Sequence, residues 1–95
     1  MPTGRTFKGS MIQGRNPEWG PLLALVGEAS AGEFKWMFEA ELSDGTNVQA
    51  YKHVDTRGYL HLDAGGRAYV YRDPDRYELV PAAELLRRVL PWPGV

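Results

Sequence analysis

The chain has 95 residues, enough for one domain, and at 43% hydrophobic and 24% charged its composition is that of a globular protein. Eleven basic and twelve acidic residues argue against a dedicated nucleic-acid binder, because such proteins draw much of their affinity from a basic excess. Cysteine is absent, which excludes disulfides, thiolate metal sites and a cysteine nucleophile.

The chain also lacks the signals of export and of membrane insertion. No apolar run approaches the roughly 20 residues that span a bilayer, and the N-terminal stretch has no apolar segment of a secretory signal. A cytoplasmic protein with no membrane association is therefore expected. Arginine outnumbers lysine eight to three, a composition that suggests a GC-rich bacterial source.

The N-terminal third is predicted to contain an arm and one helix. Residues 1–15 carry three glycines and no sustained period, which is typical of a flexible arm. Asn16 as a cap, Pro17 in the first turn and an apolar stripe further on predict a helix over 16–31. Pro21 is an alternative start, because proline disfavours helical geometry at the residue before it.

From residue 33 to residue 80 the apolar period changes to two, which predicts an antiparallel meander. Turn signals rich in Asp and Gly divide it into five strands at 33–42, 46–54, 59–63, 67–72 and 77–80. Pro81 opens a second helix over 81–91, and 92–95 form a tail. The predicted fold is α+β: a curved sheet or small open barrel, with both helices on its aliphatic face and Trp36 and Phe38 among the most buried side chains.

Loop lengths fix the predicted register. Three-residue loops at 43–45, 56–58 and 64–66 keep residues of equal parity opposite each other, while a four-residue loop at 73–76 changes the parity. His53 is then expected to face His61 on one side and Lys35 on the other. His61 is expected to face Tyr69, and Tyr51 to face Met37. All aliphatic side chains of the sheet fall on one side.

The other side of the predicted sheet is rich in tyrosine and histidine. This Tyr/His face comprises Met37, Gln49, Tyr51, His53, Tyr59, His61, Asp63, Arg67, Tyr69 and Tyr71. Tyrosine offers a large contact area with a polar tip, which is typical of binding surfaces. Three interpretations stay open: a solvated face of good strand formers, a contact with a protein or a second copy, and a stacking site for a small molecule or nucleotide.

Two kinds of chemistry can be weighed on this face. His53 and His61, if adjacent and joined by Asp63, would be a weak candidate for a zinc site, although a plain cross-strand pair is the simpler interpretation and no metal or other cofactor is expected. No serine lies in a nucleophile elbow, and nothing in the sequence indicates an active site. Charging two neighbouring imidazoles would be unfavourable, so stability is expected to fall below about pH 6.5.

The function that the sequence favours is a non-enzymatic interaction module that acts through the Tyr/His face. Its partner would be another protein or, by homodimerisation, a second copy of the chain. The alternative is a small-ligand-binding domain or a small enzyme with its pocket on the same face.

Overall fold

The computed structural model describes residues 6–12 and 16–90. The elements follow in the order β1 (Thr6–Ile12), α1 (Gly20–Ala31), β2 (Phe34–Leu42), β3 (Asn47–His53), β4 (Tyr59–Asp63), β5 (Ala68–Arg72), β6 (Arg76–Val80) and α2 (Ala82–Val89). The strands pair antiparallel in chain order, and β1 joins β6 to close a barrel. The α+β class and the small barrel are confirmed, while the predicted tail at 92–95 lies outside the described residues.

The prediction of five strands was wrong, because part of the predicted arm is a strand. Thr6–Ile12 pairs with both β2 and β6, whereas the rest of the arm lies outside the described residues. Gly9 conceals the alternation of β1, and it is required there: a Cβ at Gly9 would lie 2.7 Å from the Tyr77 ring and 2.8 Å from Leu42. Glycine is more typical of loops than of strands, so Gly9 suggested a loop in the sequence although its role here is to permit close packing.

One of the four predicted hairpin registers is confirmed, and a second holds only between its turn and the irregularity in β2. Glu41 pairs with Asn47 across the 43–45 loop, and His61 pairs with Tyr69 across the 64–66 loop, as expected. Beyond the irregularity in β2, Tyr51 pairs with Trp36 and His53 with Phe34, so the predicted partners Met37 and Lys35 were wrong. The other two loops differ from the prediction by one residue each, and each error reverses the parity of the strand that follows.

The loop between β3 and β4 runs over residues 54–57, with His53 and Gly58 joined by a backbone hydrogen bond of 2.9 Å. Ala50 therefore pairs with His61, and the predicted pairing of His53 with His61 was wrong. The loop between β5 and β6 has three residues, 73–75, rather than four. Tyr77 consequently lies opposite Tyr71 on the same side of the sheet as His61.

A β-bulge at Met37 separates Trp36 from Phe38 in β2. The extra residue turns the two rings to opposite sides of the sheet, so that each packs at the margin of a different apolar cluster. Both are half-buried, which corrects the expectation that they would be among the most buried side chains. The largest fully buried side chains include Tyr51, Leu22 and Leu60 instead.

Two apolar clusters lie on the two sides of the barrel wall. The outer cluster joins both helices to the sheet, with Leu22 of α1, Leu85 of α2 and Leu60 of β4 among its buried members. The inner cluster fills the barrel between Ala40, Leu42, Val48, Tyr69 and Tyr77. Because closure buries the inner side and the helices cover part of the outer side, tyrosine and histidine side chains on either side can be buried.

The two helices begin close to the prolines that predicted them. α1 starts at Gly20, with Pro21 in its first turn, rather than at Asn16. It is interrupted at Gly27, whose φ of 85° no L-residue adopts easily. α2 follows Pro81, carries Glu84 in its first turn and two arginines in its last, a charge order that suits the helix dipole.

Candidate functional site

The barrel divides the predicted Tyr/His face between its two sides. Gln49, Tyr51 and His53 of β3 point outward, whereas the members of the face on β4 and β5 point into the barrel. Six of the ten members are buried, namely Gln49, Tyr51, His53, His61, Asp63 and Tyr69. Tyr59 is half-buried, and only Met37, Arg67 and Tyr71 are exposed. The face is therefore not one continuous surface.

Tyr51 anchors the segment before α1 to the sheet. Its hydroxyl donates a hydrogen bond to the carbonyl of Glu18, and its ring packs against Trp19 with centroids 5.6 Å apart. Burial, followed by the nearby charge of Glu18, raises the pKa of the phenol. Gln49, on the same side, accepts a hydrogen bond of 2.7 Å from the indole of Trp36. These outward side chains hold the fold together.

His53 organises the turn between β3 and β4. Its Nδ1 accepts hydrogen bonds from the backbone N–H groups of Asp55 and Thr56, at 3.1 Å and 3.3 Å. An accepting Nδ1 assigns the proton to Nε2, which donates to the carboxylate of Glu33 at 3.0 Å. Every polar atom of this fully buried ring thus has a partner within the protein.

Asp63 organises the turn between β4 and β5 in the same way. Its Oδ1 accepts from the backbone N–H groups of Gly65 and Arg67, each at 2.9 Å. Its Oδ2 accepts from the Arg67 guanidinium at 3.1 Å and from the Tyr69 hydroxyl at 2.8 Å. Burial and the bond to Asp63 raise the pKa of Tyr69 to about 12. The carboxylate has no free position for a ligand.

The three residues of the weak metal candidate are not brought together. His53 lies on the outer side of the wall, His61 lies inside the barrel, and Asp63 is saturated by its turn. Within 6–12 and 16–90, no three His, Cys, Asp or Glu side chains are arranged to hold a metal ion.

His61 lies at the centre of a group of aromatic rings inside the barrel. Tyr59 stacks on it with centroids 5.7 Å apart and planes 14° apart. Tyr77 meets it edge to face at 5.3 Å, and Phe38 is tilted against it at 6.1 Å. Tyr71 extends the group by an edge-to-face contact with Tyr77 at 5.4 Å. We call Phe38, Tyr59, His61, Tyr71 and Tyr77 the aromatic group.

The aromatic group lines a pocket of about 760 Å³ at one end of the barrel. β4 and β5 pair only at His61–Tyr69 and Leu62–Ala68, so the two strands separate towards this end. The remaining lining comes from β1, β5, α2 and the β5–β6 loop: Gly9, Ser10, Met11, Val70, Pro74, Asp75 and Leu85. At the rim, Met11 is 59% exposed and Tyr71 is 41% exposed. A pocket of this size can admit a small organic molecule.

Two polar groups within the pocket have no hydrogen-bond partner among the described residues. The side chains of His61 and Tyr77 are only 5% and 4% exposed, yet neither makes a hydrogen bond with any of the described residues. No fully enclosed polar side-chain atom among those residues is unpaired, so these ring nitrogens and this hydroxyl face the cavity. Buried polar groups ordinarily have hydrogen-bond partners. The imidazole of His61 and the hydroxyl of Tyr77 are therefore available to bind a ligand.

The pocket is almost free of formal charge. Burial lowers the pKa of His61 to about 4, so the imidazole is neutral at physiological pH. Burial, followed by the neighbouring Tyr71, raises the pKa of Tyr77, which keeps that phenol neutral as well. Of the described lining residues Asp75 alone carries a charge at pH 7, and none is lysine or arginine.

Three of the five members of the aromatic group were predicted to lie on the Tyr/His face, and the other two, Phe38 and Tyr77, were not. Phe38 was assigned to the aliphatic core, because the bulge at Met37 leaves no mark in the sequence. Tyr77 was assigned to the opposite side through the wrong length of one loop. A signal for it existed: the three-residue loop used for the other hairpins, applied to 73–75, pairs Tyr77 with Tyr71.

A scan against protein-family models finds no match to this chain, and neither the curated proteins nor the solved structures show a similar one. Among the described residues, no helix is long and apolar enough to cross a membrane.

Proposed function

We propose that the protein is a binding module for a small, largely apolar molecule, which enters the barrel end and contacts the aromatic group. The observation that carries the proposal is the pocket of about 760 Å³ in which the buried His61 and Tyr77 have no hydrogen-bond partner among the described residues. Ligand sites are typically concave and apolar, with a few polar groups that fix orientation. Here the rings supply the apolar surface, and one imidazole and one hydroxyl supply the polar groups.

A binding role fits this pocket better than a catalytic one. A histidine with a pKa of about 4 is a weak general base at neutral pH. In the described part of the chain, His61 contacts rings and is hydrogen-bonded to no carboxylate that would raise its basicity. The pocket offers shape and stacking rather than a nucleophile and its activating base.

Protein interaction through the Tyr/His face has less support, because Tyr51 and His53 are engaged with neighbouring segments and most of the face is buried. The solution mass from light scattering, combined with a ligand titration, distinguishes the two roles. A monomer that takes up small aromatic molecules supports the ligand site. A dimer that excludes them supports the interaction module.

The direct test is a titration with indole and benzyl alcohol, followed in ¹H–¹⁵N correlation spectra. Shifts are expected at Gly9, Val70 and the His61 imidazole, and not at the turn that His53 organises. Tyr71→Ala removes a rim ring and should weaken binding at least threefold. Val54→Ala is the matched control, because Val54 is similarly exposed but lies outside the pocket. Shifts spread evenly over the surface, or equal effects of both variants, would refute the site.

A further inference from the structure

The charge pattern of the pocket narrows the class of ligand, an inference that rests on the proposed function. Among the described lining residues, Asp75 is the one charged group; Lys8, which lines a neighbouring groove together with Asp75, is not part of this lining. The Asp75 carboxylate forms no ion pair and no side-chain hydrogen bond with the described residues. Within the described lining, a phosphate or carboxylate ligand would therefore meet a negative charge and no cation, which argues against anions.

The aromatic rings of the pocket also favour a cation. The face of an aromatic ring carries negative charge density, so rings attract cations, and the attraction is strongest where water is excluded. Tyr71 and Tyr77 stand on the two strands that the Asp75 loop connects, and both contribute to the lining. The Tyr71 hydroxyl donates a hydrogen bond to the carbonyl of Pro74, which holds the ring against the loop that carries Asp73 and Asp75. Desolvation, followed by the charges of these two carboxylates, raises the pKa of Tyr71. Among the described lining residues, the β5–β6 side is thus the part of the pocket that carries negative charge; Arg72 and Arg76 of the same hairpin are not in this lining.

The protein already places an ammonium against another member of the aromatic group. Lys52 lies with its Nζ 5.8 Å from the centroid of the Tyr59 ring, within the range of a cation–π contact. Lys52 is on β3, whereas Asp75 follows β5, and Lys52 is not part of the described lining. A ligand cation would consequently be repelled from the Tyr59 side and attracted to the Asp75 side, which sets its orientation.

We propose that the pocket selects an organic monocation: a compact apolar or aromatic body that bears one ammonium group. The body lies against Phe38 and His61, and the ammonium lies at the rim between Asp75 and the rings of Tyr71 and Tyr77. His61, neutral in this environment, accepts or donates one hydrogen bond without repelling the cation.

Three probes with one common ring test the proposal at pH 7: benzylamine, which is protonated, benzyl alcohol, which is neutral, and benzoate. Dissociation constants come from chemical-shift titrations of the full chain. We expect benzylammonium to bind about three- to tenfold more tightly than benzyl alcohol, and benzoate to bind most weakly. Added salt should weaken only the binding of benzylammonium.

The matched variants are Asp75→Asn and Asp55→Asn. Asp75→Asn should remove most of the preference for benzylammonium and leave benzyl alcohol unchanged, while Asp55→Asn, in an exposed turn outside the pocket, should alter neither. Unfolding curves of both variants show whether the fold is intact. If Asp75→Asn does not fold, the salt dependence of the wild type still decides the question.

The outcomes separate the two proposals. If the alcohol binds as tightly as the cation, or benzoate binds best, the pocket is a ligand site but the selection of cations is refuted. If the Asp75→Asn variant keeps the full preference, the selection is refuted in the same way. If none of the three probes binds at millimolar concentration, the proposed function itself fails and this inference with it.

Discussion

The buried imidazole of His61 should make the stability of the protein depend on pH. Burial lowers its pKa from 6.5 to about 4 in the folded state, whereas in the unfolded chain it titrates near 6.5. Between these values the unfolded state binds more protons than the folded state. Stability from this group is therefore complete above about pH 6.5 and is lost as the pH falls towards 4. At about 1.4 kcal/mol per pH unit, the loss amounts to about 3 kcal/mol.

The assay is urea denaturation of the wild type and of His61→Phe at intervals between pH 7.5 and pH 4. Phenylalanine keeps a ring of similar size in the aromatic group and removes the titration. Other groups titrate equally in both proteins, so the difference between the two free energies of unfolding isolates His61. We expect that difference to change by about 3 kcal/mol in favour of the variant as the pH falls. An NMR titration that places His61 near 6.5, or a difference that does not vary with pH, would refute the burial of a neutral imidazole here.

Three further substitutions test the fold, each by the change in the free energy of unfolding. Asp63→Asn should cost roughly 2–3 kcal/mol, because a buried carboxylate that accepts four hydrogen bonds loses its charge, whereas the exposed Asp55→Asn should change stability by less than about 0.5 kcal/mol. Gly9→Ala should cost roughly 1–3 kcal/mol through the clash with the ring packed on β1, while Gly20→Ala, which meets nothing within 4 Å, should be close to neutral. Tyr51→Phe should cost about 1 kcal/mol through the loss of its hydrogen bond to the segment before α1; an unchanged stability would mean that this segment is not held there.

The sequence and the structure predict the same direction for the pH effect but assign it different causes. The sequence predicted lower stability below about pH 6.5 from two histidines facing each other. In the structure, His61 has aromatic neighbours instead, and the lowering of its pKa comes from burial. The expected direction of the pH effect is thus unchanged, although the predicted pairing of His53 with His61 was wrong.

Local pattern was sufficient to determine most of the elements. The period of two located β2 to β6 to within one or two residues, and Pro81 located α2, because side-chain alternation and proline geometry act within a few residues. The 43–45 and 64–66 loops were also correct. In both, Asp and Gly occupy positions where a short turn requires them.

Only the tertiary structure decided which residues share a side of the sheet. The side of the sheet on which a residue falls depends on the exact number of residues in the preceding loop. His53 stabilises the four-residue loop at 54–57 by accepting hydrogen bonds from two backbone N–H groups, an interaction with no signature in the sequence. β1 is recognisable as a strand only through its partners, since Gly9 is fixed by a ring from β6. Closure of the barrel then buries both sides of the sheet, so alternation still marks a strand but no longer tells a binding surface from a core. The aromatic pocket exists because strands distant in sequence meet around His61, and that meeting is a property of the closed barrel.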